Sequence, residues 1–107
     1  MKKIVAYIKP HKLSKVSLAL HGVEGLTGIS VMDVRGFGRG QVDDAHTSKT
    51  EALLDFIPHV KIEIICRDTL VDELVTVIET TAHTGLRGDG KIYISDLHEA
   101  VRIQTGE

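Results

Sequence analysis

The sequence has one cysteine, two prolines and no tryptophan, and only 4% of it is aromatic. A single thiol cannot build an internal disulfide framework, so packing must hold the chain together, which suits a reducing cytoplasm. That cysteine, Cys66, lies inside the apolar run VKIEIICR and reads as a buried, inert thiol. Few aromatic rings leave few platforms for stacked bases, and a formal charge of -2 provides no basic field. Nucleic acid is therefore not an expected partner. No stretch approaches the roughly 18 apolar residues of a membrane span, so no membrane insertion is expected. The opening MKKIVAYIKP is stopped by Lys9 and Pro10 before it resembles an export signal.

What is present is an ordinary globular mixture, 42% hydrophobic and 26% charged over 107 residues, which predicts one domain with a modest core. KIVAYIK (3–9) reads as a strand closed by Pro10. A helix follows, with Ser14 as N-cap, Val16, Ala19, Leu20 and Val23 on one face, and Leu13 and Leu18 as a hydrophobic staple. Gly22, Gly25 and Gly28 end it before a second strand, ISVMDVR (29–35). HVKIEIICR (59–67) is the third strand. Asp68 caps a second helix, whose apolar face is Leu70, Val71, Leu74, Val75, Ile78 and Ala82. TGLRGDG turns the chain into a fourth strand, KIYIS, and AVRIQTG is expected as a short tail strand.

The order β-α-β, gap, β-α-β predicts an α+β fold, the ferredoxin-like double βαβ with an antiparallel sheet. Strand residues are apolar on both faces: Ile4, Ala6 and Ile8 point one way, Val5 and Tyr7 the other. Both helices should cover one face, and self-association is the simplest cover for the other. Residues 38–58 show no steady period and read as an arm that reorders on contact with a partner.

Residues 84–95, TGLRGDGKIYIS, place Gly85, Gly88 and Gly90 within six positions among Arg87, Asp89 and Lys91. Successive exposed N–H groups beside cations form an anion nest. A helix stop with Gly85 at C′ and a DG turn explains the same residues, and this stretch alone favours that simpler account. A second cluster, GFGRG (36–40), also follows a strand and carries an arginine, and Arg102 adds a third cation. Two such loops near neighbouring strand ends tip the balance towards phosphate binding.

Here MKKIVAYIKPHKL, VRGFGR, DFIPHVKIEI, TAHTGLRGDGKIYI and VRIQTGE, covering nearly the whole length, resemble the PII signal-transduction (nitrogen regulatory) proteins. The resemblance implies a cytoplasmic homotrimer of one domain (1–107). It binds ATP or ADP in clefts between subunits, and its T-loop (about 38–58) contacts a target protein such as a membrane transporter or a metabolic enzyme. Carried over position by position, Gly38 and Arg39 reach the phosphates, and Gly88, Asp89, Gly90 and Lys91 form the phosphate turn. Ser30, Glu63 and Ile65 surround the adenine, Thr84 supports the site, and Arg102 and Gln104 come from the tail, Arg102 from a neighbouring subunit.

The departures mark a divergent member. Gly40 stands where these proteins have a glutamine that helps hold Mg²⁺ and 2-oxoglutarate, with Gln41 one place later. His59 replaces a lysine, and Gln104 replaces the second tail arginine. Gly40, Gln41 and His59 thus bound a candidate effector-anion site whose ligand (2-oxoglutarate, bicarbonate or none) stays open, as does the need for Mg²⁺. The position of the tyrosine that some bacteria modify with UMP holds no tyrosine here but lies near Ala52. No metal site is expected. Asp43, Asp44 and His46 are the best metal candidates, solvated loop charge being the preferred account. A trimeric ferredoxin-like protein of metal tolerance or efflux is the alternative function. No nucleophile with an adjacent base is visible, so the chain is read as a regulator rather than an enzyme, with at most slow ATP hydrolysis.

Overall fold

The computed structural model describes residues 1–36 and 56–107. Four strands form one antiparallel sheet: β1 (Lys2–Ile8), β2 (Ser30–Gly36), β3 (Ile57–Cys66) and β4 (Gly90–Asp96). Helices α1 (Leu13–His21) and α2 (Val71–Ala82) supply the two crossovers. The strand order is β2-β3-β1-β4, which puts the two central strands β3 and β1 side by side and leaves β2 and β4 at the edges. This is the ferredoxin-like arrangement expected from the sequence.

The period-2 alternation of β1 sends Ile4, Ala6 and Ile8 to a fully buried face. Register aligns them with Ile64, Ile62 and Val60 of β3. Both helices cover this face, α1 through Val16 and Leu20, and α2 through Leu74, Ile78 and Ala82. Burying a side chain of this size stabilises by about 1.5–3 kcal/mol, so this layer dominates the stability.

The opposite face is mixed rather than simply apolar. Val5 and Tyr7 are half-buried there, and the Tyr7 and Tyr93 rings meet edge to face at 6.2 Å. Between them and β2 lies a charged row, in which Glu63 sits 3.2 Å from Lys61 and 3.5 Å from Lys3.

Both helices begin differently from the sequence expectation. Pro10 opens a 3-10 turn (Pro10–Lys12) that runs straight into α1, so Ser14 lies inside the helix and caps nothing. Proline at that first position has a preset φ and no N–H to leave unpaired, which outweighs the capping preference of a later serine. Leu18 is 77% exposed, so the staple with Leu13 does not form. Likewise a 3-10 turn (Asp68–Leu70) precedes α2, and the Asp68 carboxylate takes the Met1 ammonium at 2.7 Å instead of capping the helix. The segment AVRIQTG is not a strand. The Arg102 N–H donates to the Glu107 carbonyl at 2.8 Å, and the Gly106 N–H to the Arg102 carbonyl at 2.7 Å. The run closes on itself around Gly106, whose φ of 75° suits a turn and not an extended strand.

The register also fixes which ends meet. Gly36 pairs with Ile57, and Ile8 pairs with both Val60 and Gly90. The end of β1, the end of β2, the start of β3 and the start of β4 therefore share one end of the sheet. Among the described residues, no helix is long and apolar enough to cross a membrane.

Candidate functional site: the glycine turn at the head of β4

Helix α2 stops when His83 adopts an extended conformation, and the chain then reaches β4 through three glycines with positive φ: Gly85 (82°), Gly88 (81°) and Gly90 (110°). Gly90 is the tightest. A Cβ there would lie 1.6 Å from the Tyr7 carbonyl oxygen, so the turn seats directly on the β1 backbone.

Asp89 holds the turn from inside. Its Oδ2 accepts the backbone N–H groups of Thr84 (2.8 Å) and Gly85 (2.9 Å), and its Oδ1 accepts the Thr84 hydroxyl. Thr84 Oγ1 in turn accepts the Leu86 N–H at 3.1 Å. Lys9 Nζ reaches across from the end of β1 to both partners, 3.1 Å from Thr84 Oγ1 and 3.2 Å from Asp89 Oδ1. Hydrogen bonding by the Thr84 hydroxyl, then by the Thr84 and Gly85 backbone and by Lys9, holds the Asp89 carboxyl far below the usual aspartate range. Its charge is thus absorbed by the turn itself. Lys91, at the exit of the turn, is exposed, with Nζ 5.8 Å from the centre of the Tyr93 ring.

His59, near the start of β3, is the buried polar side chain among the described residues. Its Nδ1 lies 3.3 Å from the Ile57 carbonyl and its Nε2 lies 3.4 Å from the Gly88 carbonyl. The ring is therefore directed at backbone oxygens of two segments.

Ser30, Glu63 and Ile65 form a separate group. Ser30 pairs with Glu63 across β2 and β3, and Ile65, two residues on, shares the Glu63 face and is 42% exposed. Lys61, then Lys3, keep the Glu63 carboxyl below its ordinary value. Glu63 is two residues along and two strands across from Lys91, a Cα separation of about 12 Å from standard sheet spacings.

Of the residues singled out in the sequence, the fold unites Thr84, Gly88, Asp89, Gly90 and Lys91 in one turn and Ser30, Glu63 and Ile65 on one sheet face. Arg102 and Gln104 lie in the exposed tail, with Arg102 on a turn-forming segment rather than the expected strand. Gly38, Arg39, Gly40, Gln41, Asp43, Asp44 and His46 lie outside the described residues. Among the described residues, no group of three or more His, Cys, Asp or Glu could hold a metal ion. Sequence reasoning missed Lys9 as a brace of the turn. Its signal was available: Lys9 follows a strand that pairs with the one leaving the turn.

The nitrogen regulatory protein P-II family model matches residues 1–107. A nitrogen regulatory protein P-II from Azospirillum brasilense is 48% identical over 107 residues, spanning 100% of this chain and 95% of the relative. One from Rhodospirillum rubrum is 47% identical, and the nitrogen regulatory protein P-II 1 of Escherichia coli K12 is 49% identical, each with the same coverage. With sheet order, glycine turn and full-length similarity in agreement, the chain belongs to the nitrogen regulatory protein P-II family of signal-transduction regulators.

Proposed function

We propose that this protein binds an adenine nucleotide, ATP or ADP, in clefts between the subunits of a cytoplasmic homotrimer. Through residues 38–58 it regulates a target protein of nitrogen or carbon metabolism, such as a transporter or an enzyme. The observation that carries the reading is the turn Thr84–Lys91: its shape is fixed internally by Asp89 and Lys9, and it ends in the exposed cation Lys91. A turn ordered before a phosphate arrives loses little entropy on binding it. Because Ser30 and Glu63 lie some distance from the turn, a cleft setting the β2 edge of one copy against the β4 edge of another supports the reading best. The mixed sheet face, with half-buried Val5 and Tyr7, is the surface such copies would cover.

Calorimetry with ATP and with adenosine tests this. Lys91→Ala is expected to weaken ATP binding by about 10- to 150-fold, the equivalent of one charge-assisted contact, and to leave adenosine binding unchanged. Equal losses for both ligands would refute Lys91 as a phosphate contact. In the same titration 2-oxoglutarate added with Mg-ATP is expected to bind weakly, because position 59 offers an imidazole facing two carbonyls and not a permanent cation.

A further inference from the structure

An anion site built around a carboxylate carries a conflict of charge. The Asp89 side chain is 24% exposed in the glycine turn, and the Thr84 N–H, the Gly85 N–H and the Thr84 hydroxyl all donate to it. These three donors are neutral dipoles. They fix where the carboxylate lies but leave its negative charge inside the turn that would receive a phosphate. Lys9 Nζ lies 3.2 Å from Asp89 Oδ1 and 3.1 Å from Thr84 Oγ1. Since three holds on Asp89 do not involve Lys9, its main addition is charge rather than shape. A lysine is seldom buried without a partner, and this one is 19% exposed. Its backbone is also set in advance. Pro10 confines the residue before it to extended geometry, seen here at φ -67° and ψ 138°, and the Lys9 carbonyl accepts the Lys12 N–H at 3.0 Å. His83 Nδ1 lies 3.7 Å from Asp89 Oδ2, but that side chain is 70% exposed and water screens it.

We propose that Lys9 is a positioning residue of the anion site that acts through Asp89: it cancels the charge of the carboxylate that holds the turn, so that the turn accepts a polyphosphate instead of repelling it. Lys9 does not touch the ligand, because its ammonium is occupied by Asp89 and Thr84. That the polyphosphate belongs to a nucleotide rests on the function proposed above, whereas the cancellation applies to any polyphosphate at the turn.

Calorimetry with ATP, adenosine and inorganic tripolyphosphate tests this. Lys9→Met keeps the length of the side chain and removes the charge. A unit charge about 7 Å from a phosphate, at an effective dielectric of about 20, alters binding by about 50-fold before salt screening, so ATP and tripolyphosphate should each bind about 5- to 50-fold more weakly. Adenosine binding should stay as it is, and Lys9→Arg should restore both anions. In an Asp89→Asn background no carboxylate charge needs cancelling, and Lys9→Met should change ATP binding by less than about 2-fold. A loss as large in that background as in wild type would mean that Lys9 contacts the phosphate or serves shape alone, and would overturn the proposal. Carboxyl NMR gives a reading without ligand: the Asp89 midpoint should rise in Lys9→Met, and an unmoved midpoint would refute the pairing. Lys9→Gln, uncharged but still a donor, serves for both measurements if Lys9→Met does not fold. A wild type that binds tripolyphosphate but not ATP, with the same dependence on Lys9 and Asp89, would keep this proposal and refute the nucleotide reading. Binding of neither anion would overturn both.

Discussion

Replacing Gly90 by alanine should damage the fold far more than loss of one glycine ordinarily does. Two independent effects add. The backbone at φ 110° is one that L side chains rarely adopt, costing about 1–2 kcal/mol for left-handed geometry. The new Cβ would also lie 1.6 Å from the Tyr7 oxygen and 2.7 Å from the Tyr7 carbonyl carbon. Those are backbone atoms in a central strand, so no rotamer change relieves the clash, and β4 must peel away from β1 at the Ile8–Gly90 pair. Losing one or two ladder hydrogen bonds adds about 1–3 kcal/mol. The total, about 2–5 kcal/mol, is a large part of the roughly 5–15 kcal/mol that holds a domain together. At about 4–8 °C per kcal/mol for a domain of this size, the melting point should fall by at least about 8 °C. Gly36→Ala is the control, since a Cβ there meets nothing within 4 Å among the described residues and needs no positive φ. It should change stability by less than about 0.5 kcal/mol. Denaturant unfolding of both variants at one protein concentration decides the matter. A Gly90→Ala protein within about 1 kcal/mol of wild type would show that the turn is not seated on Tyr7 as described.

Asp89 gives the turn a dependence on acid. A carboxyl whose native value is depressed below the ordinary 3.8 stabilises the folded turn above that value, and the contribution is lost as pH falls beneath it. Protection of the Thr84 and Gly85 amides should therefore decline below about pH 4 in wild type, an acid response that Asp89→Asn abolishes. An Asp89 midpoint at the ordinary value, read by carboxyl NMR, would contradict the hydrogen bonding described. In the core, Ile78→Ala should cost about 2–5 kcal/mol, whereas Leu18→Ala on the exposed side of α1 should be nearly neutral, both measured by denaturant melts.

The elements whose side chains repeat with a clear period were legible in the sequence. Ile4, Ala6 and Ile8 at period 2, and Leu74, Ile78 and Ala82 at helical spacing, gave both the core and the α+β order. The helix starts were not, because a short polar residue near a helix start matches the capping preference wherever the first turn begins. Only the structure shows Pro10 starting that turn early and Asp68 turning towards Met1. The tail misled for a different reason: VRI has strand propensity, but the chain turns back at Gly106, whose N–H bonds the Arg102 carbonyl. The glycine turn was visible as a turn, yet local sequence could not tell which way Asp89 faces. Its partners Thr84 and Gly85 are near in sequence, but the brace Lys9 is 75 residues from Thr84. His59 was legible as a lost lysine, but not as a side chain buried between two carbonyls.

The placement of β2 and β4 at opposite edges has a consequence for inheritance and mixing. In the proposed assembly each subunit lends its β4 turn to one cleft and its β2 margin to another, so no site belongs to a single copy. A variant altered at Lys91 and a variant altered at Glu63 would each be defective alone. Combined in one ring, they would regenerate some intact clefts beside some that carry both lesions. Two family members made in the same cell would by the same rule form hybrid clefts that neither makes by itself.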